Sequence, residues 1–186
     1  MSVDEKDLAA VARQLGRSPR GVVEISYRCP DGAPGVVMTR PRLEDGTPFP
    51  TLYYLTDPRL TAEASRLEVA HIMKWMTERL SKDHELAADY RRAHEYFLDK
   101  RNSLEDLGTE FSGGGMPDRV KCLHVLIAYA LAEGPQHVQL GTEAVAIAAQ
   151  HANLRGTAIP EDWPTVDDLG IDMEHFDFTH AEAPRA

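Results

Sequence analysis

The apolar residues of this chain change their period at Asp57, and this change constrains the fold more than any other feature. Between Gly21 and Thr56, three short β-prone runs alternate with dense clusters of turn-forming residues. Such short connections can join antiparallel strands, but they cannot carry the crossovers that parallel strands need. From Asp57 onward, apolar residues recur at helical spacing. The sequence therefore predicts an α+β fold with a small antiparallel sheet followed by helices.

The predicted strands are Gly21 to Arg28, Val36 to Thr39, and Thr51 to Thr56. A short N-terminal helix follows the capping box Ser2-Val3-Asp4-Glu5. The sheet is followed by a cluster of about four helices, over approximately 57–80, 85–101, 117–133 and 142–154. Residues 117–133 are apolar on nearly every side, which predicts that this helix lies at the centre of the cluster.

Length and charge indicate one domain with an appended arm. A chain of 186 residues suits one hydrophobic core, which we assign to residues 1–156. The formal net charge is −10, and −7 of it lies in residues 161–186. We therefore predict an acidic C-terminal arm over 157–186. An acidic chain without a basic stripe is a poor candidate for nucleic-acid binding, because phosphate contacts supply most of that affinity.

The sequence predicts a cytoplasmic protein that is not inserted in a membrane. No run approaches the ~18 apolar residues of a membrane helix. The first seven residues are acidic and lack the apolar core of a secretory signal. Without an export signal, Cys29 and Cys122 are expected to stay reduced.

The acidic arm offers a hypothesis of protein binding. Apolar residues alternate there with acidic ones: Trp163, Leu169, Ile171, Met173, Phe176 and Phe178. Such alternation can dock on a basic, apolar groove, so a protein partner through residues 161–186 is one hypothesis. The alternative is that these side chains fold back and cover the surface of their own domain.

A glycine run before the central helix offers a hypothesis of anion binding. Gly113, Gly114 and Gly115 let the backbone approach a ligand closely, and a helix that begins at Pro117 would direct free N–H groups at an anion. Arg119 and Lys121 add positive charge for a phosphate or carboxylate. The alternative is a flexible loop with solvated cations.

Three segments together carry a resemblance to a known family. They are Tyr27-Arg28-Cys29-Pro30 with Gly32, then Gly46-Thr47-Pro48-Phe49-Pro50-Thr51-Leu52-Tyr53-Tyr54-Leu55-Thr56-Asp57-Pro58, and then Pro117-Asp118-Arg119-Val120-Lys121-Cys122-Leu123-His124. In this order they resemble the bacterial domain of unknown function 501 family, over roughly residues 7–150. That family has no established activity, so the resemblance implies a lineage rather than a function.

The resemblance also implies a candidate metal site. Many members of that family carry a cysteine where this chain has Asp57, which suggests a cluster of Cys29, Asp57, Cys122 and His124. A carboxylate can bind zinc but suits an iron–sulfur cluster less well. One objection is that residues two apart in a regular helix point roughly 200° apart, so Cys122 and His124 would diverge. The alternative is a buried Cys122, a Cys29 in a turn, and an Asp57 that only caps a helix.

The sequence leaves open whether the protein is an enzyme. A cysteine nucleophile at position 122 would need an activating histidine, and His124 is expected on the opposite helix face. We therefore predict a small-ligand site, for an anion or a metal, formed by the Cys29 turn, the Asp57 junction and residues 113–124. The alternative is a non-catalytic interaction module that uses the acidic arm.

Overall fold

The structure is a computed structural model that describes residues 3–180. In chain order its helices are α1 (Glu5–Leu15), α2 (Pro58–Val69), α3 (Ile72–Leu80), α4 (His84–Leu104), α5 (Leu123–Glu133) and α6 (Gln139–His151), and its strands are β1 (Val22–Arg28), β2 (Pro34–Thr39) and β3 (Tyr53–Leu55). The predicted α+β class is confirmed. The predicted cap Ser2 lies outside the described residues, and Asp4 caps α1 by accepting a hydrogen bond from Lys6 N at 2.9 Å.

The three strands form one antiparallel sheet, as predicted, and their order in the sheet is β1–β2–β3. Val37 of β2 pairs with Ile25 on one side and with Tyr54 on the other. Every residue of the central strand β2 is buried. The sheet packs against α5, and Leu55 and Thr56 at the end of β3 line one cleft with Cys122 and His124 at the start of that helix.

Helix α5 is the central helix, but it begins six residues later than predicted. It starts at Leu123 rather than at Pro117, because the backbone before it closes into tight turns. Within these turns Met116 N donates to Gly113 O at 3.1 Å, and Lys121 N donates to Gly114 O at 2.6 Å. The late start removes Pro117 from the helix and leaves Cys122 as the N-cap.

The helix predicted over 57–80 is divided into α2 and α3. The chain breaks at Ala70 and His71, and His71 adopts a left-handed conformation with φ of 62°. Both halves still bury the predicted apolar stripe through Leu60, Leu67 and Met76. The apolar spacing therefore predicted the buried face correctly, although it did not reveal the break.

The C-terminal segment from 157 to 180 packs on the body of the domain. Trp163, Val166 and Ile171 are buried in the main core. The Trp163 indole donates to the Thr142 carbonyl at 3.2 Å. Phe176 packs edge-on against Trp75, with ring centroids 5.1 Å apart. The described part of the predicted arm is thus held by core contacts, and residues 181–186 lie outside the described range.

Within residues 3–180, none of the helices combines the length and the apolar content that crossing a bilayer requires.

Candidate functional site

The junction of α2 and α5 brings three potential metal ligands together. Glu68 lies near the C-terminal end of α2, Cys122 is the N-cap of α5, and His124 lies in the first turn of α5. One ligand atom of each residue lies within 4.8 Å of the other two. This group contains a thiol, an imidazole and a carboxylate, which are the side chains that bind transition metals in proteins.

The late start of α5 explains how Cys122 and His124 reach the same place. Cys122 has an extended backbone, with φ of −151° and ψ of 117°. It therefore does not follow the helical rotation that would point residues two apart in different directions. The geometric objection raised from the sequence assumed a helix from Pro117, and that assumption is wrong.

Glu68 fixes this geometry from the neighbouring helix. Its Oε1 accepts hydrogen bonds from the backbone N of Leu123 at 2.8 Å and from Nδ1 of His124 at 3.1 Å. The first contact satisfies a free donor at the start of α5 and places negative charge at the positive end of the helix dipole. The other imidazole nitrogen, Nε2, lies 3.4 Å from the Ser65 hydroxyl.

The charges of the group stabilise one another. Hydrogen bonding to Cys122 and then to Glu68 raises the pKa of His124 to about 10, although burial opposes this rise. Burial alone would raise the pKa of Glu68, but hydrogen bonds from His124 and Leu123 hold it below its ordinary value. Without a metal, the site therefore favours an imidazolium beside a carboxylate at neutral pH.

The site opens into a cleft between α1, β3 and α5. The cleft has a volume of about 450 Å³ and is lined by Gln14, Leu15, Thr51, Tyr53, Tyr54, Leu55, Thr56, Thr61, Cys122, His124 and Val125. This volume lies within the range of small-molecule sites, about 300–1,000 Å³. Both Cys122 and His124 are thus accessible to a ligand held in the cleft.

Cys29 and Asp57 form a separate pair. The Cys29 thiol lies 3.7 Å from Oδ2 of Asp57, and burial, reinforced by that negative charge, raises the pKa of Cys29 to about 12. Asp57 caps α2 by accepting from the backbone of Arg59 at 2.9 Å and of Leu60 at 3.3 Å. The four residues suggested as one metal cluster therefore resolve into two pairs. The group of neighbouring ligand atoms joins Glu68 to Cys122 and His124, and does not include Cys29 or Asp57.

The glycines of the predicted anion loop lie close to other atoms of the protein, and at Gly115 a side chain would collide with the backbone. A Cβ on Gly115, where φ is 92°, would lie 2.5 Å from the carbonyl oxygen of Arg119. Gly113 and Gly114 face Val125, with similar Cβ positions 3.2 and 3.4 Å from its side chain. Arg119 and Lys121 are exposed. The anion site stays a prediction, although its expected helix start at Pro117 is wrong.

Glu68 is the site residue that sequence reasoning missed. Its signal was a polar stripe on α2, because Thr61, Ser65 and Glu68 recur at helical spacing. Thr61 lines the cleft and Ser65 approaches His124. A polar stripe on a helix whose opposite face is apolar is normally solvated, so the spacing alone did not distinguish a site from a surface.

The sequence places the chain in a family. A model of the family described as protein of unknown function (DUF501) matches residues 25–146, so the chain belongs to that family. No curated protein and no solved structure matches the chain. The matched range includes Glu68, Cys122 and His124.

Proposed function

We propose that the protein binds a divalent transition metal, zinc by ligand type, through Glu68, Cys122 and His124, and uses it to bind a small molecule in the adjoining cleft. The observation that supports this is the approach of the three ligand atoms to within 4.8 Å. Ligands on one tetrahedral zinc lie roughly 3.3–3.8 Å apart, given metal–ligand distances of about 2.0–2.3 Å. Small side-chain rotations would bring the three atoms to these distances.

The ligand types favour zinc over the other metals considered. Thiolate, imidazole and carboxylate are all zinc ligands, whereas magnesium and calcium prefer oxygen ligands alone. An iron–sulfur cluster needs several cysteines, and this group contains only Cys122. Three protein ligands leave a fourth position free. Open sites of this kind keep a water or a substrate on the metal, and here the fourth position would face the cleft.

The hydrogen bonds around the site fit this role. In metal sites, the imidazole nitrogen that does not bind the metal commonly donates to a carboxylate, which fixes the orientation of the ring. Here Nδ1 of His124 lies beside Glu68, so Nδ1 would bind the metal and Nε2 would keep its contact with the Ser65 hydroxyl at 3.4 Å. A metal would require deprotonated Cys122 and neutral His124, so we expect zinc binding to release protons and to strengthen as pH rises.

The test is the metal content of the protein purified without chelator, together with zinc titrations of variants. We expect about one zinc per chain in the wild type. Cys122→Ser and His124→Gln should each weaken zinc binding by at least tenfold, in line with loss of a direct ligand. The matched control is Cys29→Ser, which removes the other thiol and should leave zinc binding unchanged. Equal losses in both cysteine variants, or no zinc in the wild type, would refute the proposal.

Anion binding at residues 113–121 has weaker support as a second ligand role. The loop glycines are explained by close packing, and the first backbone donor of α5 already bonds to Glu68. Arg119 and Lys121 remain exposed cations on that loop. Thermal stabilisation by phosphate that is lost in Arg119→Lys would support this role, because lysine keeps the charge but lacks the bidentate fork.

Partner binding through residues 161–186 also has weaker support. The apolar residues Trp163 and Ile171 of this segment are buried in the main core, and Phe176 packs on Trp75. A location in the cytoplasm stays a prediction from the sequence, and it would keep Cys122 reduced. Loss of a binding partner on deletion of 161–186, with no change in the thermal midpoint, would favour the interaction module instead.

A further inference from the structure

We propose that the cleft beside Cys122 binds an amphipathic small molecule whose polar end donates hydrogen bonds, as a hydroxyl or an amide does, and whose other end is apolar. This inference rests on the proposed function only in using the same cleft as the ligand site. It is argued from side chains that do not belong to the metal group. These are Gln14 and Thr56 for the polar end, and the walls of an adjoining cleft for the apolar end.

Two buried polar atoms without a hydrogen-bond partner belong to residues that line this cleft. Across residues 3–180, the buried side-chain oxygens and nitrogens that lack a partner are Oε1 of Gln14 and Oγ1 of Thr56. Both residues line the cleft that contains Cys122 and His124. A buried polar atom without a partner costs stability, so such atoms call for a specific explanation. A bound ligand that completes both hydrogen bonds supplies one.

Gln14 specifies a donor on the ligand. Its Nε2 donates to the carbonyl of Pro34 at 2.8 Å, which fixes the orientation of the amide. The remaining oxygen, Oε1, can only accept a hydrogen bond. The group that completes it must therefore carry an N–H or an O–H.

Thr56 places a second hydrogen-bonding group at the same end. Thr56 is 1% exposed, its backbone N donates to Gly35 O at 2.9 Å, and its hydroxyl has no partner. Thr142 of α6 is similarly buried, at 2% exposed, but it lies outside the cleft and its hydroxyl donates to the carbonyl of Pro135 at 2.8 Å. The two threonines therefore form a matched pair, with one free hydroxyl and one satisfied hydroxyl.

The apolar end is assigned to a second cleft that adjoins the first. This cleft has a volume of about 520 Å³ and shares Leu15 and Tyr54 with the first. Its walls include Val22, Val37 and Phe49. A ligand that lies across Leu15 and Tyr54 would keep its polar end at Gln14 and bury its apolar end between these side chains, which is favourable in proportion to the area removed from water.

The arginines in the apolar cleft define the alternative ligand class, which is an amphipathic anion. Arg17 and Arg20 lie in the walls of the apolar cleft, where they could hold an anionic head group in the opposite orientation. At the other end, Oε1 of Gln14 would repel a carboxylate, which has no donor to offer. An alkyl diol and an alkyl carboxylate of equal length therefore separate the two orientations.

The experiment measures binding of octane-1,2-diol, octanoate and glycerol by calorimetry, below the concentrations at which the amphiphiles aggregate. We expect the diol to bind at least tenfold more tightly than either octanoate, which lacks the donors, or glycerol, which lacks the apolar end. Gln14→Leu and Thr56→Val should each weaken diol binding by about tenfold. Thr142→Val, at a buried threonine outside the cleft, should leave it unchanged. In the free protein, Thr56→Val should also raise the thermal midpoint by about 2–4 °C, because it removes an unsatisfied hydroxyl.

The outcomes separate this inference from the proposed metal site. Octanoate binding as tightly as the diol, or equal losses in Thr56→Val and Thr142→Val, would overturn the inference even if zinc binds. Failure of the metal site alone can also be recognised, because Gln14 and Thr56 are not metal ligands. Diol binding that depends on both residues in a protein without zinc would support the inference and reject the metal.

Discussion

The protein contains two thiol–carboxylate pairs at helix termini, and they have opposite properties. In the first, Cys29 lies 3.7 Å from Asp57, the N-cap of α2. Cys29 is 3% exposed, and Asp57 already accepts from two backbone N–H groups and from the guanidinium of Arg59. Both carboxylate oxygens of Asp57 already accept hydrogen bonds within the protein. We therefore interpret this pair as one that stabilises the fold.

In the second pair, Cys122 caps α5 and Glu68 reaches it from the end of α2. Here the thiol is half-buried and faces a cleft, and the carboxylate holds an imidazole. The residue types are the same as in the first pair, with His124 added. Because the residue types are shared, access to solvent and free coordinating atoms are what distinguish the second pair as a candidate ligand site.

The largest expected difference between the pairs is in thiol reactivity. A pKa of about 12 leaves Cys29 with roughly a thousandfold less thiolate at neutral pH than an ordinary cysteine, and burial blocks the reagent as well. In the native, metal-free protein, we expect iodoacetamide to modify Cys122 and to spare Cys29, as read by mass spectrometry of the peptides.

The matched variants are Cys29→Ser and Cys122→Ser. The first should retain the fast reaction and the second should lose it, while both thiols should react in denaturant. Zinc should slow the modification of Cys122. Fast modification of Cys29 in the folded protein would break the comparison, since it would show that the first pair is also open.

The next largest expected effect is on stability, at Asp57. Asp57→Ala removes the cap of α2 and leaves the guanidinium of Arg59 without its buried partner. We expect it to lower the free energy of unfolding by about 2–4 kcal/mol, measured by urea denaturation. The control is Asp83→Ala, because Asp83 caps α4 from an exposed position and should cost only about 1 kcal/mol. Equal costs would show that the Arg59 contact contributes nothing.

The sequence predicted the fold well inside elements, where either strand alternation or helical spacing of the apolar residues ran without interruption. Strand alternation and turn residues predicted the three strands, and apolar spacing predicted α4 and the buried face of α2. The errors lie at element boundaries. His71 breaks a continuous apolar stripe by adopting a left-handed backbone, and hydrogen bonds within 113–121 delay the start of α5 to Leu123. Apolar periodicity reports which face is buried, but it carries no information about such local backbone hydrogen bonds.

The candidate site was predicted only in part for a related reason. Cys122 and His124 were singled out by residue type, and they lie together because the helix starts late. Glu68 is more than fifty residues away in sequence, and only the packing of α2 on α5 brings it to them. The pairing of Cys29 with Asp57 was suggested by the family resemblance, but whether that pair shares an ion with Cys122 depended on tertiary distances that no local pattern contains.

A third expected effect is stabilisation of the second pair by zinc. Any ligand that binds only the folded state stabilises it, by about 2.7 kcal/mol at a free concentration of one hundred times Kd. We expect zinc to raise the unfolding free energy of the wild type and of Cys29→Ser by this amount, measured with zinc buffered in a denaturant titration. Cys122→Ser, which binds zinc at least tenfold more weakly, should show about half of it or less. Equal stabilisation of all three proteins would place the bound zinc elsewhere.

The smallest expected effect is the pH dependence of the free energy of unfolding that His124 contributes to the second pair. It is measured in protein kept free of metal with a chelator. The pKa of His124 is raised from about 6.5 to about 10, so its contribution to stability is complete below about pH 6.5 and is lost as pH rises toward 10. We expect this contribution to be about 1–2 kcal/mol, since the side chain is one third exposed and solvent screens it.

His94 provides a control of opposite sign. Burial, assisted by the charge of Arg91, lowers the pKa of His94, so its contribution to stability is lost as pH falls below about 6.5. Urea denaturation at a series of pH values on both sides of 6.5 gives the free energy of unfolding as a function of pH. The alkaline limb of this curve should be flatter in His124→Gln, and the acidic limb should be flatter in His94→Gln. An alkaline limb unchanged in His124→Gln would mean that Glu68 and Cys122 do not hold an imidazolium, and the second pair would then differ from the first only in its exposure.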